Sequence, residues 1–347
     1  DHNGDGAVDV IANQTYTSKD GTLTTTASIT FNNTVGTRCV PTGTANMKSG
    51  LITATGFSDD GQAQRTVSQC VGTVDIFGGN SPKQPLVARG GVGLSGNYSI
   101  INRFNNTTVW SGNSMSTSGS AQTYLRPNNS VESAFTKDQL QDYATNNNYT
   151  SPPITEWSNS ASNKGLGVDV IAEDPRLGTL TGDAFFNNFF YGDRSTMYEL
   201  AKANNQVYSS FPADTATKGV VWVGPAPCGH PDAASPCPSL TTFSQNGGTY
   251  GTRDTNNTKG SPVIMIINGN FDPGGNIEVN GMVYVTGSLN CQGGGNFRTY
   301  GSIVVEDPAG AFGNGGVELI YTPYTLDKSA NPIDGTTTVI SGSWRDW

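Results

Sequence analysis

Apolar and polar residues alternate in short runs along most of this chain, and Gly, Asn and Asp separate the runs. The run Leu51–Phe57 leads through the turn Ser58–Gly61 into a second run, Ala63–Ser68. Two such runs around an Asp-Gly turn are typical of a β-hairpin. Between residues 85 and 125, apolar runs separated by Gly or Asn predict short strands that turn repeatedly. The longest apolar run, Val263–Ile267, has the length of one buried strand. The pattern therefore predicts a mainly β protein.

Residues 130–210 carry the helical pattern of the chain. One helix is predicted to start at Ser130–Ser133, with a later stretch at Thr136–Tyr143. A second is predicted over Asp183–Tyr191, and a third over Ser195–Val207 with Ser195 as its N-cap. The aromatic side chains that share one face of the second helix are Phe185, Phe186, Phe189 and Phe190. This face predicts docking onto the core, and the alternative is a ligand pocket lined by aromatic rings.

Residues 219–322 repeat with a period of 20 residues. The sets with this spacing are Val263, Val283 and Ile303; Met265, Val285 and Val305; Asn276 and Asn296; and Gly281 and Gly301. Each unit contains short apolar strands and Gly/Asn turns, which is typical of the coils of a β-helix or β-solenoid. Stacked coils would bury a shared apolar column and pair their edges with one another.

Charged residues follow the same spacing at Glu278, Arg298 and Glu318. If the coils stack, these side chains lie above one another at about 4.8 Å per coil. Alternating charges in such a column predict cross-strand ion pairs, and an acid–base group is the alternative.

The pieces combine into two predicted domains. Residues 1–80 form a β-rich head, and residues 81–347 form a β-solenoid-like domain that a helical insertion interrupts at about 130–210. The early coils (85–125) and the later coils (219–345) belong to one solenoid, so residues 85–125 are expected to pack against residues 260–320.

Composition excludes several classes of protein. Charged residues make up 14% of the 347, and 19 Lys and Arg against 28 Asp and Glu leave a net charge of −9. An acidic chain without a basic cluster repels phosphate, so no nucleic-acid partner is expected. The sequence contains neither a run of 18 apolar residues nor a signal peptide at Asp1. We expect a mature secreted protein or a soluble domain of a longer precursor.

The chain contains five cysteines and two histidines, which limits the disulfides, metal sites and catalytic triads that it can form. Cys228 and Cys237 flank a Pro-rich loop that a disulfide would close, and Cys39 and Cys70 are the second predicted pair. Cys291 is then a buried free thiol, and the alternative is that all five cysteines are reduced. Because His2 and His230 are the two histidines of the sequence, a Ser-His-Asp triad or a histidine-based zinc site is not expected.

The first residues have the spacing of a calcium-binding loop. Oxygen ligands would come from the side chains of Asp1, Asn3, Asp5 and Asp9 and from the backbone carbonyl of Ala7. Gly6 provides the sharp turn, but Ala12 stands where such loops place a bidentate Glu. Calcium is thus the candidate cofactor, and the alternative is an Asx/Gly turn.

Four sets of residues carry a resemblance to a known family. They are Ser49–Gly56 with Ala63–Val67; Pro85–Val92 to Gly96–Asn97, with Val109–Gly112; Gly281–Gly287 with Gly301–Val305; and Gly342–Trp347. Together they resemble the PilX-type minor pilins of bacterial type IV pili. Members of that family carry an N-terminal hydrophobic helix with a prepilin-peptidase processing site, and these residues include neither. The resemblance therefore implies a soluble ectodomain whose β-rich head is pilin-like.

The resemblance also implies a function. It implies a non-enzymatic subunit near the pilus tip that takes part in pilus assembly and adhesion, with other minor pilins and a large tip adhesin as partners. The location would be the cell surface, reached through the inner membrane and periplasm, with membrane attachment only through the hydrophobic helix. The alternatives are a secreted β-helix carbohydrate-binding protein and a polysaccharide lyase, which would need clustered Asp and Lys or Arg in a groove.

Overall fold

The structure is a computed structural model that describes most of the second half of the chain and parts of the first. The described residues are 10–17, 24–31, 48–57, 64–73, 76–77, 81–126, 131–142, 158–212, 217, 219–258, 260–291, 295–307, 309–310, 316–326, 337–339 and 345–346. In the first four strands, side chains are described at residues 66–69.

Strands dominate the described residues. In chain order they are β1 (Val10–Thr17), β2 (Thr24–Phe31), β3 (Lys48–Phe57), β4 (Gln64–Thr73), β5 (Leu86–Ala88), β6 (Val92–Asn102), β7 (Val109–Ser111), β8 (Met115–Gly119), β9 (Gln122–Leu125), β10 (Ser158–Ala161), β11 (Val170–Ile171), β12 (Val207–Tyr208), β13 (Gly219–Val223), β14 (Thr242–Tyr250), β15 (Val263–Ile267), β16 (Asn270–Val285), β17 (Asn296–Val305), β18 (Ala309–Gly310), β19 (Gly316–Ile320), β20 (Thr337–Val339) and β21 (Arg345–Asp346).

Helices are few and short. They are a 3-10 turn (Glu132–Ala134), α1 (Lys137–Leu140), α2 (Pro175–Gly178), α3 (Gly182–Asn187), α4 (Arg194–Ala203) and α5 (Pro323–Leu326). Among the described residues, none of these helices has the length and apolar character that a membrane crossing requires.

One compact unit comprises Asp1–Ile76 and Gly335–Trp347. Its strands form an antiparallel six-stranded sheet in the order β1-β2-β3-β4-β20, with β21 also on β4. The predicted hairpin is the pair β3–β4, in which Thr53 lies opposite Ser68. The sequence assigned the C-terminal residues to the second domain. They belong to the first unit because β20 and β21 both pair with β4.

The second unit, Phe77–Asp334, is built on a 15-stranded mixed sheet. Its parallel strands form three ladders, which we name A, B and C. Ladder A has the order β12-β13-β15-β16-β17-β5-β7-β11, with the second half of β16 and of β17 taking part. The same chain segments continue into the other two ladders, so each repeat contributes to all three.

Ladders B and C use the remaining halves of the long strands. Ladder B joins the first halves of β14 and β16 through Leu289 and Ala309 to β6 and β8. Ladder C joins the second half of β14 and the middle of β16 to β17, β19, β6 and β9, and β10 ends it in antiparallel pairing.

The early and late strands lie in the same ladders, as the sequence predicted. On ladder A, β5 pairs with β17 on one side and with β7 on the other. On ladder C, β6 lies between β19 and β9. Residues 85–125 therefore continue the ladders that residues 219–320 begin.

The repeat length is not uniform. Residues Gly281–Val285 pair with Gly301–Val305, which is the predicted spacing of 20. Val263, however, pairs with Gly281, and Met265 pairs with Val283, which is a spacing of 18. The 20-residue spacing does not hold at Val263, because the chain from ladder B to ladder C is two residues shorter between Phe271 and Ile277 than between Leu289 and Phe297.

The core of the second unit lies between the ladders. Val263, Val283 and Ile303 are fully buried in one apolar cluster with the inward side chains of all three ladders. Phe211 stacks on Phe271 at 5.0 Å between ring centroids, and Phe271 meets Phe297 edge to face. Burial of this apolar surface is the main stabilising contribution.

The predicted column of alternating charges is present on ladder C. Glu278 is in register with Arg298, and Arg298 is in register with Glu318. The Arg298 guanidinium lies 2.5 Å from the Glu318 carboxylate and 3.7 Å from that of Glu278. These side chains are 20–31% exposed, so solvent weakens the ion pairs. The column serves strand pairing, as the sequence interpretation favoured.

Replacing Arg298 with Glu is expected to lower the free energy of unfolding by about 2 kcal/mol. Two cross-strand attractions of ~0.5 kcal/mol each then become repulsions of similar size. Urea unfolding at low salt measures the loss, and about 1 M NaCl should remove most of it because charges are then screened within ~3 Å.

A charge-swapped variant provides the control for this column. Glu278→Arg, Arg298→Glu and Glu318→Arg together restore alternation and should recover most of the lost stability. If the single variant were as stable as the wild type at low salt, the column would contribute nothing to the fold.

Candidate functional site

The helical insertion packs on the outer face of ladder A. Helix α3 begins after Thr181, whose hydroxyl accepts from the backbone N–H of Ala184, and ends at Asn187, four residues before the predicted end. Phe189 and Phe190 therefore follow the helix, and all four predicted aromatic side chains are buried. Phe186 and Phe190 lie 4.9 and 5.3 Å from the ring of Tyr284, both nearly edge to face. The aromatic face is therefore a core face, and the alternative of a ligand pocket is not supported.

The N-cap of helix α4 lies two residues earlier than the sequence predicted. Asp193, and not Ser195, is its N-cap, because the Asp193 carboxylate accepts from the backbone N–H of Thr196. The helix ends at Ala203, where Asn204 and Asn205 follow and Asn205 has a φ of +55°. Val207, predicted to be helical, lies in strand β12 and pairs with Trp222.

A buried polar network fastens α4 to ladder A. Arg194 at the start of α4 contacts Glu306 at 2.7 Å, and the Tyr284 hydroxyl donates to the same carboxylate at 2.8 Å. Glu306 is 4% exposed and Tyr284 is fully buried. Arg89 donates to the backbone carbonyl of Glu306 and pairs with Asp307. The Glu306 carboxylate therefore links the start of α4 to ladder A through two side-chain contacts, with Arg194 and Tyr284.

Burial shifts the titration of this network. Desolvation raises the pKa of Glu306, and the positive charge of Arg194 opposes that shift. Desolvation also raises the pKa of Tyr284 well above its ordinary value. Because desolvation has the larger effect on Glu306, ionising this carboxyl costs the folded state free energy.

We expect Glu306→Gln to change how stability depends on pH. A group with a raised pKa contributes stability below its unfolded pKa, about 4.3 for Glu, and loses it as pH rises through the folded pKa. Between pH ~4 and ~7, the wild type should therefore lose free energy of unfolding relative to the variant. Urea unfolding of both proteins at several pH values measures the difference, and a difference that instead grew in favour of the wild type would contradict the burial argument.

A second cluster of ionisable groups lies where α4 meets a disulfide-closed loop. Cys228 and Cys237 form the predicted disulfide, with 5.8 Å between their Cα atoms. The cluster is Glu199, His230 and Asp232, whose ligand-type atoms lie within 4.8 Å of one another. Among the described residues this arrangement comes nearest to a metal site.

Hydrogen bonds within the cluster leave little for a metal ion. His230 Nε2 lies 2.8 Å from the Glu199 carboxylate, and Nδ1 accepts from the backbone N–H of Asp232. The Lys202 ammonium pairs with Asp232 and lies 3.6 Å from Glu199. Its hydrogen bond is the main reason that the pKa of Asp232 is lowered. Lys202 contacts both carboxylates, and these contacts join the loop to the helix.

The other predicted site residues have different outcomes. Asp1, Asn3, Asp5, Ala7 and Asp9, the candidate calcium ligands, lie outside the described residues, as does Cys39. The backbone of Cys70 lies in β4 opposite Leu51, and its side chain is not described. Cys291 is the buried free thiol that the sequence predicted, and desolvation raises its pKa well above the ordinary value.

Sequence reasoning missed both clusters that contain α4. Arg194 and Glu306 are separated by 112 residues, and no spacing rule relates them. A usable signal existed only at His230, which is one of two histidines in the chain and lies inside the loop that the disulfide closes.

Comparison with known proteins gives little further information. No protein-family model matches this chain, and no curated protein matches it. The chain is similar to the competence-associated pilin ComZ from Thermus thermophilus, at 12% identity over 100% of this chain and 90% of that chain, with a TM-score of 0.22. A likeness at this TM-score carries no argument about fold or function.

Proposed function

We propose that this chain is the extracellular part of a PilX-type minor pilin, a non-enzymatic subunit in type IV pilus assembly and adhesion. The observation that carries the proposal is the pairing of the stretches that resemble the family. The hairpin β3–β4 pairs with β21 in the C-terminal stretch, and β5 pairs with β17. Stretches that resemble the family and lie far apart in sequence are thus neighbouring strands, one pair in each unit. This pairing supports the interpretation that they belong to the same two structural elements.

We propose that the second unit is a β-solenoid and that the first unit is a pilin-like head. Three parallel ladders that share one apolar core support this interpretation. Neighbouring strands within each ladder are joined by backbone hydrogen bonds. The helical insertion covers the outer face of ladder A. Such a body presents a rigid polar surface, which suits contact with partner subunits.

The use of charged groups supports a non-enzymatic role. The charged clusters found among the described residues join structural elements: Arg194 with Glu306, Lys202 with Asp232, and Arg298 with Glu318. A catalytic acid and base would instead face a substrate. We further propose a calcium ion bound by residues 1–9, a disulfide between Cys39 and Cys70, and other minor pilins and a tip adhesin as partners at the cell surface.

Deletion of the gene in its source bacterium tests the role. We expect far fewer surface pili by electron microscopy and weaker adhesion, both restored by the wild-type gene. The purified chain should also co-purify with minor pilins of the same bacterium. Unchanged pili and adhesion after deletion would contradict the proposal.

The parallel ladders also fit the alternative of a β-helix protein that acts on carbohydrate. A polysaccharide lyase would release unsaturated ends from acidic polysaccharides in the presence of calcium, which ultraviolet absorbance detects. A carbohydrate-binding protein would retain glycans without cleaving them. Cleavage by the pure protein would replace the pilin proposal with the lyase.

A further inference from the structure

A buried guanidinium, that of Arg103, lies at the end of β6, and we name it the Arg103 fork. Arg103 follows that strand, and its side chain is fully buried. Its Nη1 donates to the backbone carbonyls of Gln139, Leu140 and Asp142. These carbonyls belong to residues 131–142, which we name the strap. One terminal nitrogen of Arg103 therefore holds the strap.

The other edge of the same guanidinium has no hydrogen-bond partner among the residues that the structure describes. Within that part of the chain, Nε and Nη2 of Arg103 are both buried and unpartnered, and so is Oε1 of Gln141 on the strap. Gln141 is itself fully buried, and its Nε2 donates to the backbone carbonyl of Asp254. Buried donors of this kind are nearly always satisfied, because an unmade hydrogen bond to a charged group is costly.

Two arginines and two acidic groups lie around this guanidinium. Arg126 donates to the backbone carbonyls of Arg103 and Phe104, which brings a second guanidinium to the same corner. Asp142 is the acidic group that acts on Arg103, and Glu132 lies 4.0 Å from Arg126. None of these groups is hydrogen-bonded to Nε or Nη2 of Arg103 among the described residues.

We propose that the Nε and Nη2 edge of Arg103 binds a small carboxylate such as formate or acetate. Nε–H and Nη2–H point the same way, which matches the two coplanar oxygens of a carboxylate in a bidentate pair. Because Arg103 is fully buried beneath the strap, the ligand is a small free ion and not the side chain of a partner protein. Bound carboxylate would hold the strap against the end of β6.

Thermal unfolding of the full chain tests the site at constant ionic strength. Sodium formate or acetate in place of chloride is expected to raise Tm by about 2–4 °C at saturation, because a ligand that binds only the folded state stabilises it. The shift should vanish in Arg103→Lys and persist in Arg176→Gln, a control that removes an exposed arginine. An equal effect of formate, acetate and chloride would overturn the proposal and assign ordered water to the fork, and an effect of phosphate alone would overturn the choice of carboxylate.

Two further measurements keep the proposal testable if Arg103→Lys does not fold. Asp142→Asn removes the negative charge that competes with the ligand, so its affinity for formate should rise about 3- to 10-fold. The nuclear magnetic resonance signal of the Arg103 Nε–H should shift when formate is added to the wild type. An unchanged or weaker affinity in Asp142→Asn, or an unmoved signal, would overturn the proposal.

Discussion

Replacing Gly281 with alanine is expected to lower the free energy of unfolding by about 4 kcal/mol. At Gly281 the chain of β16 passes from ladder C to ladder A, with a φ of +151° that favours glycine. A Cβ there would lie 1.7 Å from the carbonyl oxygen of Val263, which belongs to the neighbouring strand. Because that oxygen is part of the backbone, relief requires the strands to move apart. Urea unfolding, followed by circular dichroism, measures the loss.

Two variants bracket this prediction. Gly301→Ala should cost a similar amount, because Gly301 stacks on Gly281 with a φ of +148° and a Cβ 1.9 Å from the Gly281 carbonyl oxygen. Gly165→Ala is the control, since Gly165 has a φ of +80° but no atom lies within 4 Å of its added Cβ. Its cost should be about 1 kcal/mol. Equal losses at Gly281 and Gly165 would show that the clash with the neighbouring strand does not matter.

Arg194→Ala is expected to destabilise the protein by about 3 kcal/mol. The substitution removes the ion pair with Glu306, whose side chain is 5% exposed, and the contact of the guanidinium with the Phe186 ring at 5.4 Å. Glu306 then remains buried as a charge with the Tyr284 hydroxyl as its remaining side-chain donor among the described residues. Urea unfolding and hydrogen exchange in α3 and α4 measure the effect.

The same helix supplies the control for Arg194. Lys202→Ala removes an ion pair with Asp232 that solvent screens, so its loss of stability should be far smaller than that of Arg194→Ala. Adding Glu306→Gln to Arg194→Ala should recover part of the loss, because no charge is then left buried. No recovery in the double variant would mean that the contact with Phe186, and not the buried charge, explains the loss.

The sequence predicted those contacts that a regular spacing encodes. Glu278, Arg298 and Glu318 meet because a spacing of 20 residues brings them to the same register position on three neighbouring strands. The aromatic face of α3 was readable from helical spacing alone, and Cys228 with Cys237 from the short Pro-rich loop between them. In each case the interacting residues are neighbours in a repeat, a helix or a loop.

Contacts outside any repeat could not be predicted in this way. The 18-residue spacing at Val263 was not predicted, because a shorter turn changes the register without changing the apolar pattern. Sequence analysis did not predict the Arg194–Glu306 pair or the Arg103 fork. Each joins segments that approach one another only after the chain has folded. The sequence alone does not distinguish a buried Arg or Glu from one on the surface.

The sequence by itself determined that the chain is mainly β, where its repeated strands lie and which residues face the core of those strands. Hydrophobic burial acts on each residue according to its own side chain, so alternation and period carry that information. Tertiary structure alone decided that Gly335–Trp347 joins the first unit, which strands of residues 85–125 pair with which strands of residues 303–320, and how the insertion is fastened to ladder A. These features depend on which distant segments form hydrogen bonds and ion pairs, and such pairing depends on geometry that no local pattern records.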